Sequence, residues 1–313
     1  MFIEQAYTKK FDIIKYLPIP IVFLFLMLLN YVAIVVMDID VDTLMQQQIA
    51  LKGANEVLFE SLLPLAIFLV ILLLWVKFVN KQSIRSLTTA RAKVDWKRIF
   101  TAFGIWGVFS VATTTMAYFS TPESYEINFR PVPFAILACI SIIMIPMQTS
   151  FEEYLFRGYL MQGIGIATRS KLTALIVTSL MFGLMHIANP EIEKMGYILL
   201  LYYIGTGLLL GIITLMDEGM ELALGFHAAN NLIAALLVTS DWTALQTDSI
   251  LKDKSEPSAG FDILLPLIII YPILLLIFSR IYKWTNWKEK LTGEVHLQPL
   301  NEITINQIGE GHE

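Results

Sequence analysis

The sequence predicts an all-α protein: a polytopic membrane bundle of about eight transmembrane helices with both termini on the cytoplasmic side. Of its 313 residues, 56% are hydrophobic and only 16% are charged. The mean hydropathy of +0.64 lies above the usual range of soluble domains. The apolar residues are grouped into runs with few charges, each close to the ~20 residues that an α-helix needs to cross a bilayer.

The first apolar run spans residues 17–37 and follows Lys9, Lys10 and Lys15. A secretory signal has an apolar core of only ~7–15 residues and ends at a small-residue cleavage site. This run is longer, and Asp38 follows it, so we interpret it as a retained first helix. The other predicted spans occupy residues 61–79, 99–121, 131–151, 172–189, 195–216, 222–240 and 263–281.

Two polar segments lie outside these spans. Residues 81–98 carry six Lys or Arg side chains and are predicted to lie along the cytoplasmic face as an interfacial helix. From Trp284 onward the chain is polar. We therefore expect a single transmembrane domain at residues 1–283 and a largely disordered C-terminal tail at residues 284–313.

The distribution of basic residues predicts the orientation of the helices. With both termini inside, seventeen of the 22 Lys and Arg residues fall on the cytoplasmic side, and the remaining five lie outside. Cytoplasmic loops of membrane proteins are enriched in Lys and Arg, so this asymmetry supports an even number of spans. We expect a multi-pass protein of the cell (inner) membrane.

Several classes of function are not indicated. Nothing in the sequence suggests nucleic-acid binding, and we find no internal repeat of the kind that many transporter folds show. The single cysteine, Cys139, excludes an internal disulfide and argues against a cysteine-based metal cluster. Because it stands inside an apolar run, we interpret it as a small buried hydrophobic residue.

Three ionisable residues, Glu152, Glu153 and Arg157, lie at the end of the fourth run. A charge at membrane depth costs at least ~2.5–3.5 kcal/mol on insertion scales, so three together indicate a functional site. Glu153 and Arg157 stand four residues apart on one helix face and are predicted to form an ion pair. Glu152 is rotated by ~100° and is left free for chemistry. The alternative interpretation is a glutamate pair with a structural role at the headgroup boundary.

Two later spans each contain one histidine. Phe182 and His186 share a helix face near the end of the fifth span, and His227 and Asn231 share a face in the seventh. A lone histidine in a membrane helix is more often a hydrogen-bonded packing residue than a catalyst. Two histidines, a free carboxylate and an amide in one bundle instead predict a polar site inside the membrane domain.

These segments resemble the three motifs of the CPBP (CAAX-protease and bacteriocin-processing, or Abi) family of intramembrane proteases. The family's motifs read Glu-Glu-x-x-x-Arg, Phe-x-x-x-His and His-x-x-x-Asn. The chain matches them in order at residues 152–157, 182–186 and 227–231. Each motif is weak alone, but all three on separate predicted spans form a fairly specific pattern that covers residues 130–240.

The resemblance implies an endopeptidase that cuts within or near the membrane, whose eukaryotic relatives remove the last three residues of prenylated CAAX proteins. It implies that Glu152 and His186 activate the attacking water, while His227 and Asn231 stabilise the oxyanion. The residues in supporting roles would be Glu153, Arg157 and Phe182. The expected partners are the lipid bilayer and a peptide or protein substrate, lipidated or not.

The resemblance leaves the cofactor open. The family is often described as metalloproteases, and a glutamate with two histidines is able to hold zinc around an open water position. In that case His186 and His227 would both be metal ligands. The sequence contains no His-Glu-x-x-His pattern, which is the usual signature of zinc proteases. A metal-free mechanism and a zinc-dependent one are the two alternatives.

Two other functions compete with a protease. One is a non-enzymatic membrane immunity or scaffold protein that keeps the protease fold. The other is a proton-coupled transporter, for which intramembrane glutamate and histidine are also natural. The presence of all three motifs favours the protease, and the lack of a repeat argues against the transporter.

The expected depths of the site residues do not agree. Counted from a turn at Arg169, Glu152 and His186 share a depth of ~25 Å, toward the outer side. His227, in contrast, enters from the cytoplasmic loop. Kinks or a short re-entrant piece would bring the residues together. The expected positions of such breaks are Pro146, Gly225 and Asn189–Pro190.

Overall fold

The computed structural model describes residues 1–257 and 260–297, and this part of the chain is mainly helical, which confirms the predicted fold class. Three π-helical segments continue or precede regular helices: Val76–Asn80 after α3, Tyr154–Leu160 between α6 and α7, and Pro266–Ile270 before α12. The α-helices in chain order are α1 Pro18–Val36, α2 Val41–Lys52, α3 Ala54–Trp75, α4 Ile84–Thr88, α5 Trp96–Ser120, α6 Pro131–Glu153, α7 Met161–Thr168, α8 Lys171–Leu184, α9 Pro190–Met195, α10 Ile198–Asp217, α11 Glu221–Leu237, α12 Tyr271–Tyr282 and α13 Trp287–Thr292.

The helices include the elements that a membrane protein needs. Within the described residues, five helical stretches are long and apolar enough to cross a membrane, and three shorter apolar ones accompany them. Each of the eight segments predicted from the sequence overlaps one of these helices. The chain is therefore an integral membrane protein, while the number of crossings and the side of each terminus stay predictions.

A small sheet lies beyond the end of α11. Its strands are β1 Tyr125–Ile127, β2 Val238–Thr239 and β3 Leu251–Asp253. The central strand is β3, which pairs antiparallel with β1 and parallel with β2. An ion pair between Arg130 and Asp248 links the start of α6 to this region. The sheet thus connects the ends of α5, α6 and α11.

Two glycines allow the helices that carry the site to pack closely. A Cβ atom on Gly225 of α11 would lie 2.0 Å from the carbonyl oxygen of Ile99 in α5. A Cβ atom on Gly207 of α10 would lie 2.8 Å from the carbonyl oxygen of Ser179 in α8. Small residues at such contacts let helix backbones approach each other in membranes. The α5–α11 and α8–α10 pairs are therefore in backbone contact.

The continuous helix Pro131–Thr168 explains how Glu153 and His227 reach the same depth. Its 38 residues extend for ~57 Å, well beyond the ~30 Å hydrocarbon core. The loop before α11 meets this helix at Gly158, where Met220 Sδ would lie 3.2 Å from an added Cβ atom. From that contact, Glu153 is five residues along one helix and His227 is seven along the other. The expected mismatch in depth between Glu152 and His227 is wrong, because the loop before α11 meets the long helix at Gly158 and not at its end near Arg169.

Two of the three expected breaks do not interrupt a helix. The α-helix α6 runs through Pro146, and α11 runs through Gly225. Gly225 packs closely against Ile99 of α5. Only the third expected break interrupts a helix, since α8 ends at Leu184 and a turn leads to α9 at Pro190. His186 lies in that turn.

Residues 81–98 do not form an extended interfacial helix. Only the short α4 and the first residues of α5 are α-helical there, and Thr89 is fully buried. Thr89 pairs with Gly219 through the backbone, and Arg91 forms an ion pair with Asp217 over 2.9 Å. The segment packs against the turn between α10 and α11, because part of its basic charge is neutralised by buried acidic residues.

Part of the tail that was expected to be disordered is ordered. The indole of Trp284 donates to Asp217 Oδ1 over 3.0 Å, α13 follows it, and Val295 is buried. The apolar side chains of Trp284 and Val295 let this mostly polar segment pack on the bundle. The expectation of disorder for residues 298–313 lies outside the described residues.

The interpretation of Cys139 as buried is wrong. Its side chain is exposed on α6. In a membrane protein the hydrocarbon is as apolar as a protein core, so an apolar residue gains no extra driving force from facing other helices. Location within an apolar run therefore does not predict burial against protein.

Candidate active site

Glu153 lies at the centre of a buried ion pair. Arg157 Nη1 donates to Glu153 Oε1 over 3.0 Å, and Arg157 Nη2 donates to the carbonyl oxygen of Gly207 over 3.1 Å. Both charged side chains are fully buried. The guanidinium carbon also lies 4.1 Å from the centre of the Phe182 ring. The ion pair expected from the spacing is present, and α8 and α10 hold its arginine in place.

His227 of α11 lies next to both glutamates. Its Nδ1 is 2.8 Å from Glu153 Oε1, and its Nε2 is 3.8 Å from Glu152 Oε2. An ionised carboxylate only accepts hydrogen bonds, so Nδ1 carries the hydrogen. The side chains of all three residues are buried. Glu153 therefore fixes the ring so that Nε2 points toward Glu152.

Glu152 is held through only one of its two oxygens. Gln148, one turn earlier in α6, donates from Nε2 to Glu152 Oε1. Glu152 Oε2 is buried and has no hydrogen-bond partner among the described residues. A buried carboxylate oxygen without a donor is costly unless water or another ligand satisfies it. The gap between this oxygen and His227 Nε2 is therefore the expected position of a reactive water molecule.

His186 lies beside the Phe182 ring, as His227 does. Its Nδ1 is 2.8 Å from the carbonyl oxygen of Phe182, so Nδ1 carries a hydrogen and Nε2 is left as an acceptor. The ring stacks on Tyr203 of α10 with centroids 4.2 Å apart. The Phe182 ring lies 5.0 Å from the His186 ring and 5.9 Å from the His227 ring. In the described structure, the ring nitrogens of His186 make no hydrogen bond with a glutamate.

Asn231 is connected to Glu152 through one intermediate side chain. Its Nδ2 donates to Gln148 Oε1 over 3.1 Å. Its Oδ1 accepts from Asn230 Nδ2 over 3.0 Å, and Asn230 Oδ1 in turn accepts from Trp106 Nε1 over 3.0 Å. The structure thus brings all the site residues expected from the sequence into one region, with Asn231 and His186 at its edges.

The charges of the cluster balance when it binds one additional proton. Glu152 and Glu153 as carboxylates carry two negative charges, and Arg157 carries one positive charge. A net charge buried without compensation is costly. One proton on His227 Nε2 or on Glu152 makes the cluster neutral. That proton belongs to the same two groups that face the expected water position.

The arrangement does not provide a three-ligand metal site. His227 Nε2 and Glu152 Oε2 lie 3.8 Å apart, but the ring nitrogens of His186 make no hydrogen bond with either residue in the described structure. Within residues 1–257 and 260–297, no group of three or more His, Cys, Asp or Glu side chains is placed to hold a metal ion. A catalytic zinc ion usually has three protein ligands, so the donor set as arranged does not fit zinc.

Four residues of this region are absent from the set expected from the sequence: Gln148, Tyr203, Asn230 and Trp106. The sequence could have indicated Gln148 as a site residue, because its amide stands one helical turn before Glu152 in an apolar span. Asn230 stands directly beside Asn231. Trp106 and Tyr203 are aromatic residues within apolar spans, and nothing in their spacing distinguishes them from packing residues.

Comparison with known families agrees with the geometry. Residues 130–233 match the family model described as type II CAAX prenyl endopeptidase Rce1-like. This part of the chain is similar to that family, and we call it the Rce1-like region. The Rce1-like region contains every site residue expected from the sequence, from Glu152 to Asn231. The resemblance to CAAX-type proteases drawn from the three motifs is thereby confirmed.

One curated relative extends the similarity beyond the motifs. The chain is 31% identical to the uncharacterized protein YyaK of Bacillus subtilis (strain 168) over 165 residues, which are 52% of this chain and 55% of YyaK. The matched part is thus about half the length of this relative. No solved structure matches the chain.

Proposed function

We propose that this chain is an intramembrane endopeptidase that hydrolyses peptide bonds of membrane-associated substrates. The observation that carries the proposal is the unpartnered Oε2 of Glu152, which is buried and lies 3.8 Å from His227 Nε2 in the Rce1-like region. Hydrolysis of an amide requires a base that removes a proton from water. A buried carboxylate with one free oxygen suits that task.

In the proposed reaction, Glu152 Oε2 accepts a proton from water, and the water oxygen adds to the carbonyl carbon of the scissile bond. His186 Nε2 orients the water as a second acceptor, because the hydrogen of this ring is on Nδ1. The protonated Glu152 then gives its proton to the leaving nitrogen as the carbon–nitrogen bond breaks. The carboxylate returns to its starting form.

The negative oxygen formed by this attack needs hydrogen-bond donors. His227 serves as one when its Nε2 is protonated, which is one of the two forms that make the buried cluster neutral. Asn231 Nδ2 has a second hydrogen besides the one bonded to Gln148. Loss of one such donor typically costs ~10²–10³ in rate. The proposed mechanism uses no metal ion.

The substrate and its location form the finer part of the proposal. The description of the matching family supports a prenylated, CAAX-like substrate, and the apolar helices support cleavage at a bilayer. We propose that the protein acts in the cell (inner) membrane. A lipidated peptide and its unlipidated form are the two substrates to compare.

The test uses the full chain purified in nanodiscs and an internally quenched peptide that ends in a CAAX sequence, with and without a farnesyl group. We expect cleavage by the wild type and at least a ~10²-fold loss for Glu152→Gln, because the base is removed. The melting temperature of the variant should stay close to that of the wild type. If neither peptide nor any co-expressed membrane peptide is cleaved faster by the wild type than by the variant, the protein is a non-enzymatic relative.

A further inference from the structure

We infer that Trp106, Asn230, Asn231 and Gln148 form one directional hydrogen-bond chain that holds the carboxylate of Glu152 in its reactive orientation. Trp106 and Gln148 are then positioning residues of the active site. This inference rests on the proposed function of Glu152, and its two positioning residues, Trp106 and Gln148, lie outside the three motifs.

The chain consists of four consecutive hydrogen bonds. Trp106 Nε1 donates to Asn230 Oδ1 over 3.0 Å, and Asn230 Nδ2 donates to Asn231 Oδ1 over 3.0 Å. Asn231 Nδ2 donates to Gln148 Oε1 over 3.1 Å, and Gln148 Nε2 donates to Glu152 Oε1. It begins on α5, crosses α11 and ends on α6, so it joins three helices inside the bundle.

The direction of the chain is set at its start. An indole N–H is only a donor, so Asn230 must present its oxygen to Trp106 and its amino group to Asn231. The same requirement passes through Asn231 to Gln148, which must present its amino group to Glu152. Hydrogen bonds in such a series polarise one another, so each strengthens the next. Glu152 Oε1 therefore receives a donor from a fixed direction.

The position of Trp106 is itself well defined. The side chain is buried, with its ring centroid 4.5 Å from that of Phe226 and 6.2 Å from that of Tyr271. Its helix is held against α11 by the contact between Gly225 and the Ile99 carbonyl. The donor at the start of the chain thus belongs to a rigid part of the bundle.

The two carboxylate oxygens of Glu152 therefore have different roles. The chain occupies Oε1, and Oε2 is left without a protein partner beside His227 Nε2. If Trp106 lost its N–H, all three amides would be free to reverse. Gln148 would then present its oxygen to Glu152, which favours a protonated carboxyl group there and disables the base. Substitution of Trp106, which is four hydrogen bonds away from Glu152, should therefore impair the chemical step.

The first test is a double-mutant cycle on thermal stability, which needs no substrate. The single variants Trp106→Phe and Gln148→Met and the double variant are compared in nanodiscs. Independent sites give additive effects, whereas members of one network do not. We expect the loss of melting temperature in the double variant to be clearly smaller than the sum of the single losses. Additive losses would overturn the hydrogen-bond chain.

The second test measures cleavage of the quenched CAAX peptide. We expect kcat to fall roughly 10-fold or more in Trp106→Phe with KM nearly unchanged, because a misplaced catalytic group slows the reacting step. The matched control is Trp75→Phe, which loses an indole hydrogen bond of 2.9 Å to the Lys15 carbonyl away from the site. Its kcat should equal that of the wild type.

The two tests separate the inference from the proposed function. Equal kcat values for Trp106→Phe and Trp75→Phe, with an active wild type, would overturn the positioning role. No cleavage by the wild type would remove the proposed function and the positioning role with it. The thermal cycle would still decide whether the hydrogen-bond chain exists.

Discussion

Glu152 and Glu153 are adjacent in the sequence and have different environments. Glu153 accepts from Arg157 and is bonded to His227 Nδ1 through the same oxygen. Glu152 is bonded through Oε1 to the neutral amide of Gln148. Glu153 is therefore part of a charged network, while Glu152 is held in position with one oxygen free to react.

Glu153→Gln should destabilise the protein more than Glu152→Gln. Breaking a buried pair by removing one partner typically costs ~3–5 kcal/mol, because the other charge is left unpaired. Here Arg157 would lose its carboxylate, and His227 would lose the acceptor that fixes its ring. We expect a lower melting temperature for Glu153→Gln, together with reduced cleavage. Equal melting temperatures for the two variants would show that the ion pair contributes little.

Metal dependence can be decided by combining chelation with two substitutions. We expect strong chelators to leave cleavage unchanged and elemental analysis to find less than stoichiometric zinc. Asn231→Ala should lower kcat by about 10²-fold through loss of an oxyanion donor, without altering the metal content. Zinc present at one ion per chain, and lost in parallel with activity on dialysis or in His186→Ala, would establish the zinc-dependent alternative.

Local spacing predicted the contacts within one helix, but not those between helices. The pairs Glu153 with Arg157 and Phe182 with His186 are four residues apart, so helix geometry alone places them together. The role of Trp106 depends on the contact of α5 with α11, which the sequence of either helix does not specify. Gln148 makes contacts of both kinds. Its bond to Glu152 lies within one helix and could be predicted from the spacing, whereas its bond to Asn231 joins two helices and could not.

At the scale of elements, the apolar runs predicted where helices lie but not how they pack. The long helix from α6 to α7 could not be recognised from its apolar run, because the run ends near Phe151 while the helix continues through polar residues. Its extension places the loop before α11 beside Gly158. That arrangement aligns the two glutamates with His227.

Gly225→Ala should disturb both stability and activity. The added methyl group would meet the Ile99 carbonyl at 2.0 Å, and a backbone atom cannot rotate away. Helices α5 and α11 would have to separate, which moves His227 and breaks the bond between Trp106 and Asn230. We expect a fall of several degrees in melting temperature and a ~10-fold or greater loss of cleavage.

Gly104→Ala is the matched control, because nothing lies within 4 Å of an added Cβ atom there. Alanine is the better helix former by ~1 kcal/mol, so this variant should be as stable as the wild type or slightly more stable. A similar loss in both variants would mean that the effect of Gly225→Ala does not come from the contact with Ile99.

At the scale of the whole molecule, the sequence clearly predicted a membrane bundle. Its composition and its long apolar runs are those of helices that are surrounded by lipid. The eight predicted segments correspond to the helices found. The ordered start of the tail was missed because Trp284 and Val295 are isolated apolar residues in a polar segment. Their burial depends on surfaces of α8 and α10 that only the folded bundle creates.

The orientation of the bundle leads to a topological prediction. Reporter fusions within residues 81–98 and after Trp284 should report the cytoplasm, and fusions within residues 242–260 should report the opposite side. The measurement is paired activity of a periplasmic and a cytoplasmic reporter at each site. Opposite locations for the two termini would require an odd number of spans and would disprove the orientation.

The distribution of the site over α6, α8 and α11 also has a consequence for biosynthesis. A chain made from its N-terminus inserts Glu153 and Arg157 together, as a pair that neutralises its own charge within one helix. Glu152 enters with them, but His227, Asn231 and the amide partner of Trp106 arrive only with α11. Until that helix leaves the ribosome and docks, the nascent protein lacks His227 and Asn231, which are half of the proposed catalytic groups. Under the proposed function, cleavage should therefore begin only after α11 has docked.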